Sequence, residues 1–276
     1  MDTFTRISYQ HARSLTLHYS SSFGLSSKLF TTRIRPHIYA VYGLVRIADE
    51  IVDTYQGNDQ KQLLEALEAE TYAAIDRQYS PHPIVHAFAL TAQKYAIDRE
   101  LIAPFFESMR MDLAPRNYTP AMYKDYIHGS AEVIGLMCLR VFCEGNDTFY
   151  TQLAPNATSL GAAFQKVNFL RDLAEDYKEL GRLYFPGMTF DTFDNEARDK
   201  IIAEIEHDFT VAAQGIKRLP PTCRGAVETS YVYYRELLSR LSRTSAKSIK
   251  SQRVRVPTAR KLQLLAVAAI KQKLAR

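Results

Sequence analysis

Apolar residues recur at intervals of three and four along almost the whole chain, and no stretch alternates like a strand bounded by hairpin turns. This spacing predicts helices over roughly 5–18, 33–54, 60–79, 84–96, 99–112, 120–143, 147–179, 194–217, 222–242 and 257–274. The breakers agree. Pro36 suits a first helical turn, Pro81 and Pro83 precede the fourth helix, and Pro115 through Pro120 separates the fifth from the sixth. Gly145-Asn146-Asp147, Gly181, Pro186-Gly187 and Pro220-Pro221 mark later turns. With no low-complexity linker and no internal repeat, the expectation is a single all-α domain over residues 1–276.

Two stripes depart from simple amphipathicity. In the seventh predicted helix, Gln165, Asn168, Asp172 and Asp176 follow at steps of three or four, so amides and carboxylates share one face. In the second, Tyr42, Arg46, Asp49 and Asp53 do the same, leaving Ile38, Val41, Val45, Ile51 and Val52 to bury themselves. The aspartates of each pair are four apart, which on a helix leaves them about 40° out of line, one turn above each other. Like charges so placed cost a few tenths of a kcal/mol with nothing between them. Paired hard oxygen ligands suit Mg²⁺, which takes one or two carboxylates and fills its shell with water and phosphate oxygens.

A solvated helix face readily produces one such pair. Two pairs, each beside an arginine (Arg46, Arg171) and each in an apolar helix, are harder to read as surface. Gly181-Arg182-Leu183-Tyr184-Phe185-Pro186 follows the second pair and adds a guanidinium, whose planar fork donates in pairs to phosphate. Small residues (Gly129, Ser130, Ala131 and Gly135 in the sixth helix, Gly161 to Ala163 in the seventh) fit either close helix packing or a groove for a long ligand.

At 276 residues, 46% hydrophobic and 24% charged, the composition is that of an ordinary soluble globular protein. Cys138, Cys143 and Cys223 form no CxxC pair and read as free thiols of a reducing compartment. His82 and His86 are four apart, but without a third ligand no metal role is expected of them. Met1-Asp2-Thr3-Phe4 opens no signal-peptide pattern. The most apolar stretches, Val133 to Phe142 and Leu262 to Ile270, fall short of the ~20 residues a spanning helix needs, so a cytoplasmic chain that crosses no bilayer is expected. The net charge of +5 is uneven: from Arg240 onward come Arg240, Arg243, Lys247, Lys250, Arg253, Arg255, Arg260, Lys261, Lys271, Lys273 and Arg276, without one Asp or Glu. Such a region is a solvated basic face, or one drawn to an anionic membrane or a polyanionic substrate. No nucleic-acid-binding motif accompanies it, and no nucleic-acid partner is expected.

In this order the segments resemble the phytoene/squalene synthase family, the head-to-head prenyl transferases of carotenoid and triterpenoid biosynthesis. Tyr19-Ser20-Ser21-Ser22-Phe23 is similar to the family's Ser-x-Ser-Phe element, and Arg46 to Asp53 to its first aspartate-rich motif. Tyr126 to Gly135 resembles its Tyr-x-x-x-x-Ala-x-x-x-Gly helix, Gln165 to Asp176 its second aspartate-rich motif, and Gly181 to Pro186 its Gly-Arg-x-Tyr-x-Pro. Tyr234 and Arg253-Val254-Arg255-Val256 are similar to its closing elements. Glu50 stands where many members carry a second adjacent aspartate, and His128 and Ser130 also vary.

The resemblance implies the all-α class I isoprenoid synthase fold, a helical bundle around a central cavity with the aspartate motifs facing each other across its mouth. It implies Mg²⁺ (Mn²⁺ substituting) on Asp49, Asp53, Asp172 and Asp176, with Glu175 and Asn168 supporting. Arg46, Arg171, Arg182 and Arg253, with Ser20, Ser22, Phe23, Tyr42 and Tyr234, would hold the prenyl diphosphate. Gln165 and Tyr126 would line the inner cavity near the reacting carbons. The favoured reaction joins two geranylgeranyl diphosphates to phytoene through a cyclopropylcarbinyl diphosphate, without NADPH. Farnesyl diphosphate as substrate, giving squalene, dehydrosqualene or presqualene diphosphate, is the runner-up. A non-catalytic relative acting as an assembly factor would be expected to have eroded acidic motifs. A greasy substrate and product, with the basic end, imply peripheral attachment to the cytoplasmic face of a membrane; no oligomeric state is implied.

Overall fold

A computed structural model describes residues 1–114 and 118–274, without the side chains of Ser21, Ser22, Leu180, Leu265 and those from Ala268 onward. The breaker Pro115 and the side chains of Ser22, Lys271, Lys273 and Arg276 therefore lie outside the described residues. Among the described residues every regular element is helical.

The helices fall where the apolar periodicity predicts. They are α1 (Thr3–Tyr19), α2 (Ser21–Ser26), α3 (Arg35–Asp49), α4 (Gln60–Arg77), α5 (Pro83–Tyr95), α6 (Arg99–Asp112), α7 (Pro120–Ile127), α8 (Val133–Cys143), α9 (Asp147–Leu180), α10 (Asn195–Ile216), α11 (Pro221–Arg243), α12 (Ala246–Ile249) and α13 (Thr258–Leu274). Their ends are set by local chemistry. Asp2, Ser20, Asp98, Thr119, Asn146, Asp194 and Ser245 each accept an otherwise orphaned backbone N–H of the first turn. Gly181 stops α9 in the left-handed conformation, φ 63°, which glycine adopts without a Cβ penalty.

Four features were absent from the periodicity, two of them short helices. The short α2 is too brief to show a 3.6-residue repeat, and so is α12. The predicted second helix ends in a π turn, Glu50–Thr54, closed by Tyr55 N–H donating to the Glu50 carbonyl at 2.9 Å. The predicted sixth helix is broken by a second π turn, His128–Glu132, between α7 and α8. Both wide turns carry or adjoin the polar stripes, where such turns are commonly found.

The 34-residue α9, about 50 Å long, is the central strut. It packs against α10, α8, α11 and the second π turn, while α1, α3 and α5 pack on one another. One apolar cluster runs through α3, α5, α6 and α8, with Phe88, Phe105, Phe106 and Met137 nearly inaccessible. A second surrounds α7, α9, α10 and α11 with Val167, Leu170, Phe209 and Leu238. Leu160 and Tyr231 pack against both.

The run Pro120–Cys143 is longer than the apolar stretch read from sequence. At 24 residues and a mean hydropathy of 1.2 it is, among the described residues, the one helical segment long and apolar enough to cross a membrane. It lies instead between α6 and α9, interrupted by its π turn. It is a core element.

The small residues of this region serve both purposes offered by the sequence. A Cβ on Gly129 would stand 2.2 Å from the Pro104 carbonyl oxygen, and one on Gly161 2.6 Å from the Ala131 carbonyl oxygen, so these glycines let backbones touch. Gly135 and Gly161 also border the internal cavity described below. Because backbone cannot yield as a flexible side chain does, Gly129→Ala is expected to destabilise the fold by about 1–3 kcal/mol, read as a lower urea midpoint at an unchanged slope.

Candidate active site

Between α2, α3, α8, α9 and α11 lies a cavity of about 770 Å³. Its two ends differ in chemistry. Phe30, Phe142, Leu153, Ile216, Leu219 and Val227 border one part, and Arg46, Asp49, Asp53, Asn168, Arg171, Asp172, Asp176 and Arg253 the other. The two polar stripes predicted on separate helices thus meet at one mouth, from α3 and its π turn on one wall and from α9 on the other. Ser20, Phe23, Tyr42, Tyr126, Gln165 and Tyr234 border the same space.

The carboxylates are held in unlike ways. Asp172 accepts both arms of the neighbouring Arg171 (Nε to Oδ1, 2.7 Å) and Arg253 Nη2 at 3.3 Å, with Arg253 Nε ion-paired 2.8 Å from Oδ1. Arg253 Nη1 donates to Glu175 at 2.9 Å. Arg182 Nη1 donates to Asp53 at 2.8 Å, and Arg46 pairs with Glu50 while stacking its guanidinium 4.2 Å over the Tyr19 ring. Arg46 stands 3.9 Å from Asp49, beyond hydrogen-bond reach. Asp49 and Asp176 are the members of the two pairs that no guanidinium hydrogen-bonds among the described residues.

Those two are also the most perturbed. Burial first, then the like charge of Asp53, pushes Asp49 up to about 7. Its side chain is 31 % exposed, but that surface opens into the cavity rather than onto bulk solvent. Burial, then Asp172, pushes Asp176 up to about 7 as well. Seven carboxylates (Asp49, Glu50, Asp53, Asp112, Asp172, Glu175, Asp176) face four guanidiniums (Arg46, Arg171, Arg182, Arg253) and, at the rim, the Lys261 ammonium, so the mouth carries two carboxylates in excess. An excess of hard oxygen donors in a shielded place is chemistry that divalent cations satisfy. Among the described residues no three carboxylate, imidazole or thiol side chains close into a cage of their own. A cation there needs its shell completed by water or ligand oxygens, which is the habit of Mg²⁺.

Amide and phenol groups line the next layer. Tyr234 donates to Asn168 Oδ1 at 3.2 Å, Gln165 Nε2 donates to Ser130 Oγ at 3.2 Å, and Ser130 donates to the Tyr126 carbonyl at 2.7 Å. Rings close the walls: Phe164 stacks on Tyr234 at 4.0 Å, Phe23 on Tyr42 at 5.4 Å, and Tyr126 on Tyr184 at 5.1 Å. Burial raises the phenols of Tyr42, Tyr126 and Tyr234, which stay protonated donors. Ser20 spends its side-chain oxygen on the Phe23 N–H as the cap of α2, so part of its work is to hold Phe23 at the rim.

Arg182 occupies a different place from the other three arginines. It does not border the cavity; its side chain is 7 % exposed, and it donates to Asp53 and, at 2.6 Å, to the Asp112 carbonyl. It holds Asp53 from behind. Asp112 is the functional residue the sequence reasoning missed. Asp112 Oδ2 accepts the Tyr126 hydroxyl at 2.7 Å and Oδ1 lies 3.5 Å from Arg182, so one buried carboxylate links α6, α7 and the Gly181–Pro186 segment. Its signal was available: Leu101, Phe105, Ser108 and Asp112 share the buried stripe of α6, and a carboxylate in a core register calls for a reason. Of the remaining expectations, the cysteines are free thiols, with Cys138 half-buried at the cavity wall. His86 Nε2 lies within hydrogen-bond distance, 3.0 Å, of Thr5 Oγ1.

The family model for squalene/phytoene synthase matches residues 16–260. A phytoene synthase from Arthrospira platensis is 27% identical over 96% of this chain and 93% of its own length. A 15-cis-phytoene synthase from Paracoccus sp. is 25% identical over 90% and 86%. Among solved structures, a dehydrosqualene synthase in complex with ligand superposes with a TM-score of 0.82 at 21% identity, covering 98% of both chains. A squalene synthase from Alicyclobacillus acidocaldarius follows at 0.77 and 22%, covering 88% of this chain and 96% of its own. These structures share the class I isoprenoid synthase fold, and so does this chain.

The raised carboxyls carry a pH signature. Folded, Asp49 and Asp176 keep their protons to about pH 7, whereas the unfolded groups lose theirs near 3.8. The folded chain binds more protons in that window, so their contribution to stability is present below it and is lost as pH rises through 7. Without divalent cations, Asp49→Asn or Asp176→Asn is expected to stabilise the protein at pH 8 by about 1–2 kcal/mol and to flatten the fall between pH 4 and 7, measured by urea unfolding across pH.

Proposed function

Because the chain belongs to the squalene/phytoene synthase family, we propose that it joins two geranylgeranyl diphosphates head to head into phytoene, releasing two diphosphates, in carotenoid biosynthesis. The observation that carries the reading is the pairing of two opposed acidic stripes with a long apolar cavity behind them. Similarity to curated phytoene synthases along nearly the whole chain supports the same product.

Cavity length favours the C20 substrate. The α9 residues that border it run from Leu153 to Asp176; the part behind the acids, from Leu153 to Asn168, is fifteen steps of 1.5 Å, about 22 Å. Three extended backbone bonds span about 3.5 Å, so the sixteen-carbon spine of a geranylgeranyl chain reaches about 18 Å and the twelve-carbon spine of a farnesyl chain about 13 Å. A farnesyl tail would leave the floor around Leu153 and Ile216 unfilled, forfeiting contacts there.

In this reading Asp49 and Asp53 from one wall, and Asp172 and Asp176 from the other, hold Mg²⁺, with Mn²⁺ able to substitute and with Asn168 and Glu175 supporting. The bound ions would offset the charge of the diphosphate and make it a leaving group. Arg46, Arg171 and Arg253 donate to diphosphate oxygens, joined by Ser20, Ser22, Tyr42 and Tyr234, while Arg182 fixes Asp53. When the first C–O bond breaks, the allylic cation lies against Gln165, Tyr126 and the aromatic walls, which exclude nucleophilic water. The double bond of the second substrate attacks it and a proton is lost as the three-membered ring closes, giving the cyclopropylcarbinyl diphosphate; a second ionisation, rearrangement and loss of a second proton give phytoene without NADPH. Purified protein with Mg²⁺ is expected to convert geranylgeranyl diphosphate to phytoene equally well with and without NADPH. Asp172→Asn should lower turnover at least about 100-fold while leaving the circular dichroism intact. A hydrocarbon formed only from farnesyl diphosphate, or near wild-type turnover in the variant, would overturn the reading.

The basic, acid-free end supports peripheral attachment to the cytoplasmic face of an anionic membrane. Helix α13 borders the cavity through Lys261 and Leu264 and leaves Leu262 and Val267 about half exposed, so an apolar and basic surface adjoins the mouth. Co-sedimentation with anionic vesicles is expected at about 0.1 M salt and should fall at about 1 M, where the screening length shrinks from about 10 to about 3 Å.

A further inference from the structure

Asp172 is the most heavily neutralised carboxylate of the mouth. Two guanidiniums meet on it, and they have different origins. Arg171 is its chain neighbour and folds back on it at little conformational expense. Arg253 arrives from the extended segment between α12 and α13, 81 positions away, and also reaches Glu175 one turn along, at 2.9 Å. Its side chain is only partly buried, 33 % exposed, and it borders the cavity, so it is free to turn toward a ligand there. As it stands, Arg253 occupies lone pairs that a cation on Asp172 would need.

We propose that Arg253 is a shared clamp: with no diphosphate bound it closes Asp172 and Glu175 against cations, and an incoming diphosphate draws it off. Metal and diphosphate then bind poorly alone and well together. The inference rests on the metal reading above and adds an order to it. The driving force is charge exchange: the guanidinium trades two carboxylates for the doubly accepting edge of a phosphate, and the carboxylates it leaves trade it for a divalent cation. Neither exchange is favourable by itself, because each strands one partner in a shielded site. The segment bearing Arg253 leads directly into α13, whose Lys261 and Leu264 border the same space, so the shift takes place at the rim and leaves the α9 strut undisturbed.

The test is Mn²⁺ binding, followed by electron paramagnetic resonance, with and without inorganic pyrophosphate and with no prenyl substrate. For the wild type, pyrophosphate is expected to tighten Mn²⁺ by about 5–150-fold, the usual range of coupling between two ligands, and Mn²⁺ to tighten pyrophosphate by the same factor. In Arg253→Gln, Mn²⁺ should bind more tightly than to wild type when pyrophosphate is absent, although a substrate contact has been removed, and the coupling factor should shrink. Arg253→Lys, which keeps the charge, should stay close to wild type in pyrophosphate-free affinity and shows that the segment still folds. Unchanged or weaker Mn²⁺ binding in Arg253→Gln, with wild-type coupling, overturns the clamp. Absence of Mn²⁺ binding to the wild type even with pyrophosphate overturns instead the metal reading on which the clamp rests.

Discussion

Carboxylates gathered away from bulk water repel one another, and the mouth of this cavity is organised around that repulsion. Removing one charge from water costs several kcal/mol unless a partner is at hand, so a cluster of seven acids needs cations, protons or both. Without ligands the protein supplies four guanidiniums and the Lys261 ammonium at the rim, and remaining charge is relieved by protons: Asp49 and Asp176, the acids of the two pairs that no arginine hydrogen-bonds among the described residues, are the ones whose carboxyls are pushed up to about 7. The site is left short of positive charge, and a diphosphate alone would deepen the deficit. Divalent cations arriving with it would cancel both.

Everything behind the mouth follows the opposite rule. Past Asn168 and Gln165 the lining passes to aromatic and aliphatic side chains, because a cation created on a hydrocarbon survives only where water is excluded. The boundary between the two regions lies within α9, whose turns present acids near one end and Leu153 near the other. A single helix therefore sets the distance between the diphosphate and the floor. Gly129 and Gly161 bring the neighbouring helices into backbone contact with α6 and α9, and so fix the walls. Asp112 joins the layers by binding Tyr126 and Arg182 together, which ties the inner aromatic wall to the Asp53 side of the mouth.

Much of this was legible in the chain. The helices from α3 to α11 and α13 are long enough to show their period, so their spans agree with the sequence to within a few residues. The π turns escaped because a widened turn shifts the register without changing the residues. The stripes Tyr42–Arg46–Asp49–Asp53 and Gln165–Asn168–Asp172–Asp176 were visible as polar faces on apolar helices, and the cavity proves to be what they face. Arg182 looked like another ligand-holding arginine, since its motif names a residue but not a direction; in the fold it turns inward to Asp53 and Asp112.

The sequence by itself determined the helical class, the stripes, the acid-free basic end and the family, since these depend on local spacing and composition. Tertiary structure alone decided that two acidic stripes more than a hundred residues apart share one mouth, that a buried Asp112 braces it, and that Arg253 rests on Asp172. Local periodicity encodes which face of a helix is polar; only the packing of one helix against another fixes what that face meets, and charge shielding exists only once the walls are assembled.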